Sequence, residues 1–209
     1  MKAKLLTAFV LVTLVAAAYA SAQELTATSA GTTVDSVILT TKSHYPDSIV
    51  AGAVGSKIGA PVFVTSQGML DSEVLDEINA LSPSTVYIVG GPEAITEDVE
   101  TQLAADYDVV RIWGMTRYGT SAELAQYFWE TSDKVILVWD VLGLADAGNY
   151  EMLSDVRDLA IQEDLPVLLI RKNDIPDQVV DTLVNMSVES VVLVGNVGSR
   201  VTYTLDSLG

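Results

Sequence analysis

From Val34 onward the chain alternates short, continuously apolar and β-branched runs with longer segments in which apolar residues return every three or four positions. Short apolar runs predict strands covered on both faces, and the longer period predicts helices lying against them. The strands are expected at Val37–Thr40, Pro61–Val64, Val86–Val89, Val109–Ile112, Val135–Val138, Pro166–Ile170 and Val191–Val194. Helices are expected around Ile49, Val50, Ala53, Val54 and Ile58; around Val74, Leu75, Ile78 and Leu81; around Leu124, Tyr127 and Phe128; around Leu153, Val156, Leu159 and Ala160; and around Val179, Val180, Leu183 and Val184. Each is read as one amphipathic helix. Their alternation with the strands implies an α/β fold, a parallel sheet with helices on both faces.

The same segments recur at a nearly fixed distance, which marks a duplicated unit. Ser36-Val37-Ile38-Leu39 matches Lys134-Val135-Ile136-Leu137, an offset of 98 from residue 36 to residue 134. Pro61-Val62-Phe63-Val64 matches Pro166-Val167-Leu168-Leu169, and Val86-Tyr87-Ile88-Val89-Gly90 matches Val191-Val192-Leu193-Val194-Gly195, both at an offset of 105. The difference predicts a loop insertion around Asp140 to Asn149, which costs little. Two tandem units follow, 34–132 and a divergent, incomplete 133–209, with the Tyr118–Trp129 helix placed structurally at the start of the second.

The residues ahead of Val34 change the picture. Lys2 and Lys4 precede an uncharged run from Leu5 to Ala18 and the small residues Tyr19-Ala20-Ser21-Ala22, the layout of a cleavable secretory signal over 1–22. Residues 23–33 are polar and read as a flexible lead-in. No later segment is apolar enough to span a bilayer, so no stable membrane span is expected after cleavage. The chain carries 28 acidic against 11 basic residues and a formal charge of −17, which argues against nucleic acid as a partner and in favour of a soluble extracellular protein. A bare anionic polymer would also be repelled, unless divalent cations bridged it or a local basic pocket outweighed the global field. Cysteine is absent, so disulfides and thiolate chemistry are excluded.

Candidate chemistry is sparse. His44 is the only histidine and has no second titratable motif beside it, so neither a catalytic triad nor a histidine-based metal site is expected. Gly90-Gly91-Pro92 follows a strand and precedes a helix expected near Ala94; the two glycines either present N–H groups to an anion or make the strand-to-helix turn. Asp47, after Pro46, suits the positive end of its helix, and it also lies at the strand ends where Arg117 and Tyr118 are expected. Arg117, near Trp113 and Tyr118, is the one base in a conspicuous aromatic setting; it either meets a sugar or carboxylate or clamps the two units together. Asn185-Met186-Ser187 is a sequon whose Asn185 could carry a glycan in a secreted protein.

One succession of motifs resembles a known pattern. Asp47-Ser48-Ile49-Val50-Ala51-Gly52-Ala53 leads to Gly59-Ala60-Pro61-Val62-Phe63-Val64-Thr65, then Leu70-Asp71-Ser72-Glu73-Val74, Val86-Tyr87-Ile88-Val89-Gly90-Gly91 and Arg111-Ile112-Trp113-Gly114-Met115-Thr116-Arg117-Tyr118-Gly119-Thr120-Ser121-Ala122. In this order they resemble the cell wall-binding repeat 2 family, with Thr116 where that pattern has Asp and Asn196 where the second unit would have its second glycine. The resemblance implies Rossmann-like modules used in tandem for noncovalent attachment at the cell surface. The partners it implies are a cell-envelope polysaccharide or a surface-layer (S-layer) protein, with homo-oligomers also open. The expected function is therefore non-catalytic binding at the cell wall or S-layer, with Asp47, Gly90, Gly91, Arg117 and Tyr118 as ligand-binding candidates and no cofactor. A secreted hydrolase or small-ligand binder using the groove at the strand ends is the alternative.

Overall fold

The computed structural model describes residues 34–41, 45–139 and 147–208. The expected leader and lead-in, His44, the side chain of Asp47 and the expected insertion up to residue 146 lie outside what is described. Among the described residues seven strands and seven helices alternate: β1 (Ser36–Thr41), α1 (Tyr45–Ile58), β2 (Val62–Thr65), α2 (Ser72–Leu81), β3 (Thr85–Val89), α3 (Glu97–Leu103), β4 (Asp108–Ile112), α4 (Arg117–Trp129), β5 (Lys134–Trp139), α5 (Ala147–Glu163), β6 (Val167–Ile170), α6 (Asp177–Asn185), β7 (Ser190–Val194) and α7 (Ser199–Leu208). All pairing between named strands is parallel, in two sheets ordered β2-β1-β3-β4 and β6-β5-β7. The fold is α/β, with helices on both faces.

The duplication reaches individual hydrogen bonds. Ile38 N–H donates to Pro61 O at 2.9 Å and Ile136 N–H to Pro166 O at 3.0 Å; Ala60 N–H donates to Gly55 O at 2.8 Å and Leu165 N–H to Ala160 O at 3.0 Å; Thr85 N–H donates to Asp35 O and Ser190 N–H to Asp133 O. These pairs repeat the sequence offsets of 98 and 105. Isolated antiparallel bridges at Ser66–Met69 and Arg171–Asp174 repeat them again.

The two sheets share a core. One apolar cluster takes Ile38, Val89 and Ile112 from the first sheet, Ile136, Val138, Val167, Leu169 and Val192 from the second, and α1, α4 and α5 through Val50, Val54, Leu124, Val156 and Ala160. Outer clusters cover the other face of each sheet, with Ile78, Val99 and Leu103 on the first and Val179, Leu183, Val201 and Leu205 on the second. Helix α1 is consequently not the amphipathic helix that its period predicts; Ile49, Val50, Ala51, Ala53 and Val54 are all buried, because α4 and α5 cover the side that does not face its own sheet. Gly55 permits the close approach: a Cβ there would stand 2.7 Å from Ala60 O and from Val62.

The seam is finished by polar and aromatic contacts. Lys57 Nζ meets Asp164 Oδ2 at 2.7 Å and lies over the Trp129 ring, whose Nε1 donates to Asp164 O. Tyr87 on β3 packs edge-on against Phe128 and Tyr127 of α4, and burial first, then Tyr127, pushes its pKa upward. The Lys57 pair is half exposed and contributes under about 1 kcal/mol; apolar burial carries the seam.

Two elements depart from expectation. Helix α7 is additional, and α3, the helix expected near Ala94, starts at Glu97, because residues 92–95 first form a turn with Ala94 and Ile95 N–H donating to Gly91 O.

A shared core predicts a single transition in denaturant. Leu124→Ala, at a fully buried position of the spanning cluster, should lower stability by about 2–5 kcal/mol without splitting the transition, as followed by far-UV dichroism in urea.

Candidate functional site

Ligands of open parallel sheets gather beyond the carboxyl ends of the strands. At that end of the first sheet, Gly90 holds φ at +126°, a conformation that side chains avoid, and its N–H donates to Ile112 O. Arg111 fixes the same turn: its Nη1 donates to Gly90 O at 2.8 Å, its Nε to Glu100 Oε2 at 2.8 Å, and its side chain is 9% exposed. Gly91 lies beneath the exposed Trp113 indole, and a Cβ at Gly91 would stand 2.6 Å from the ring. The two glycines thus make the turn and seat Trp113.

Trp113 links this turn to the start of α4. Gly114 N–H donates to Thr120 Oγ1, and a Cβ on Gly114 would collide with Gly119. Thr116 caps α4, its Oγ1 accepting from Gly119 N–H at 3.1 Å, so this neutral residue supplies the cap that an Asp could also give. Arg117 and Tyr118 follow, both half-buried. Tyr118 packs against both the spanning cluster and the outer cluster of the second sheet. Gly90, Gly91, Arg117 and Tyr118 therefore share one end of the molecule, and the first turn of α1, which carries Asp47, begins after β1 at the same end. Asn185 does not join them. It is exposed at the last position of α6, donating Nδ2–H to Gln126 Oε1 at 3.3 Å.

The second sheet adds residues that sequence reasoning missed. After β6 the turn Arg171-Lys172-Asn173-Asp174 is pinned by Arg171 N–H to Asp174 O and by Gly198 N–H to Lys172 O at 2.7 Å. The Arg171 guanidinium stands over the Tyr118 ring at 5.0 Å, and Lys172 Nζ over the Trp139 ring at 5.1 Å. Asp174 pairs with Arg171 at 3.2 Å and lies 3.8 Å from Arg200. The equivalent turn of the first unit, Ser66-Gln67-Gly68-Met69, has the same bridge and no charge. Arg117 is thus not alone among aromatic rings: Lys57, Arg171 and Lys172 each lie on one. The adjacent bases after a strand were visible in the sequence; the rings, contributed from residues 118 and 139, were not. Among the described residues no group of three or more Asp, Glu or His is placed to hold a metal ion, and no helix is long and apolar enough to cross a membrane.

Comparison with known proteins agrees with the motifs. Residues 13–100 match the family described as Cell wall binding domain 2 (CWB2), so the resemblance read from the first unit holds over that span. Over 168 residues, 80% of this chain and 32% of the relative, the sequence is 27% identical to N-acetylmuramoyl-L-alanine amidase LytC of Bacillus subtilis. Cwp6 of Clostridium difficile shares the fold with a TM-score of 0.68 at 19% identity, over 82% of this chain and 28% of that one. Cwp8 of the same organism gives 0.68 at 21% identity, over 85% and 29%. The chain spans about a third of each of these proteins.

Arg111→Ala should cost about 1–3 kcal/mol, because it strands the Gly90 carbonyl and leaves Glu100 without its partner. Because the lost contacts hold the turn under Trp113, indole fluorescence should change in the still-folded variant; an unchanged melting temperature and spectrum would contradict this account of the turn.

Proposed function

We propose that the chain is a non-catalytic cell-surface module that attaches to a polymer of the cell wall, with the rim of the second unit at the strand ends as its contact. The Cell wall binding domain 2 match and the fold of two cell wall proteins support a wall-associated role. The observation that carries the site is the pair of stacked cations on the 171–174 turn, with Tyr118 and Trp139 beneath them. The rings hold the charges in place ahead of binding. Arg200 borders the same turn, where Arg171, Lys172 and Arg200 stand against the single carboxylate of Asp174, a local excess of positive charge on a chain of charge −17 that answers the repulsion an anionic polymer would otherwise meet. Asp47, Gly90 and Gly91 shape the neighbouring strand ends. A leader at 1–22, a glycan at Asn185, cation bridging and an S-layer association belong to this reading as further proposals.

A catalytic reading draws on the amidase relative, which the chain matches over 32% of its length. The chain offers that reading one histidine, His44, with no second titratable motif beside it in the sequence.

The experiment is sedimentation of the purified protein with isolated envelopes. Wild type should co-sediment. The double variant R171A/K172A should bind about tenfold or more weakly while its stability stays within about 1 kcal/mol, both positions being exposed. Binding should also weaken as salt rises. Equal binding by the variant, or turnover of soluble wall fragments by the wild type, would overturn the proposal.

A further inference from the structure

Away from the cationic turn, the strand ends of the first unit hold one large aromatic side chain in the open. Trp113 is 43% exposed, and its indole is fixed from below. A Cβ on Gly91 would stand 2.6 Å from the ring, so the ring seats only on a glycine. The turn itself makes no such demand. The second unit keeps the first glycine, Gly195 at φ +100° against +126° for Gly90, and has Asn196 in place of the second. Gly91 is therefore needed by the indole rather than by the backbone. On the far side of Trp113, Gly114 packs on Gly119 and its N–H donates to Thr120 Oγ1, which anchors the ring's own loop to α4. An indole seated on one side and open to solvent on the other offers rigid contact area, with little ordering left to do on binding.

The loops around it limit what it can meet. Residues 90–96 and 113–116 carry one charged side chain, the exposed Glu93, and no base. Arg111, below them, is engaged by Gly90 O and Glu100. These loops thus favour a neutral ligand, in contrast to the turn at 171–174. Glu93 and Thr116, both exposed, supply polar groups beside the indole's two loops. A neutral ligand with an apolar face for the indole and hydroxyls for polar neighbours is a sugar ring, because the C–H face of a pyranose lies flat on a π face while its rim takes hydrogen bonds.

We propose that Trp113 is the stacking platform of a second subsite, on the first unit, that takes a neutral pyranose of the wall polymer. The proposal rests on the wall-binding reading, but on a different unit and a different chemistry from the cationic turn.

The probe is the neutral oligosaccharide fraction of hydrolysed envelopes, freed of acidic fragments on an anion exchanger and titrated by calorimetry and tryptophan emission. Wild type should bind it with a blue shift that salt does not weaken, and R171A/K172A should bind it equally. Trp113→Ala should bind about tenfold or more weakly, while Trp113→Phe, which keeps a ring on Gly91, should lose no more than about threefold. No binding of the neutral fraction, equal binding by Trp113→Ala, or equal losses in the two variants overturns the proposal. If Trp113→Ala does not fold, acrylamide quenching of the wild type decides: sugar that shields the exposed indole supports the platform, and unchanged quenching overturns it. Shielding that grows with protein concentration in the absence of sugar would assign the indole to a second copy and also overturn it. Failure of the wild type to sediment with envelopes overturns the wall attachment instead, and the neutral fraction still decides the subsite.

Discussion

Helix α1 has almost no polar side to offer water between Ile49 and Gly55, and that constraint organises the molecule. A helix apolar all round must be buried all round. Its own sheet covers one side, so the second unit has to supply the rest, through α4, α5 and β6. The duplicated units consequently are not two beads on a string. They meet through a shared layer in which Leu124 and Val156 pack with Val50 and Val54.

The same arrangement locates the chemistry. Docking α4 between the sheets brings its first turn, and Tyr118 with it, to the strand ends of both units. Tyr118 then reaches the Arg171 guanidinium of a turn more than fifty residues away, while Trp139 at the end of β5 reaches Lys172. Duplication supplies an internal control. The turns at 66–69 and 171–174 share backbone geometry, so their difference in charge reflects specialisation of one unit rather than a demand of the fold.

The strands were legible because most are continuous apolar runs, and the repeat because two offsets recur. Helix α3 was legible only as a helix following the Gly90-Gly91 turn and not in its bounds, since Glu97-Asp98-Val99-Glu100-Thr101-Gln102-Leu103 offers only two apolar positions. Helix α7 carries Val201, Leu205 and Leu208 at helical spacing, a pattern present in the sequence but short and set off by the Gly195–Gly198 turn. Arg117 and Tyr118 stood out because they are neighbours among aromatics. The stacked pair at Arg171 and Lys172 depends on partners distant in the chain, and no local pattern shows which ring a cation will meet. The single periodicity of α1 suggested one buried face; only the docking of a second unit explains the other.

The central claim is that wall polymer contacts the second unit's rim, and amide and side-chain NMR shifts on titrating solubilised wall polymer test it most directly. The account predicts shifts concentrated at Tyr118, Arg171, Lys172 and Gly198, fading as salt is raised, with Ser66 to Asp71 unmoved. Shifts centred on the uncharged turn of the first unit, or none at the rim under conditions where the protein binds envelopes, would contradict it.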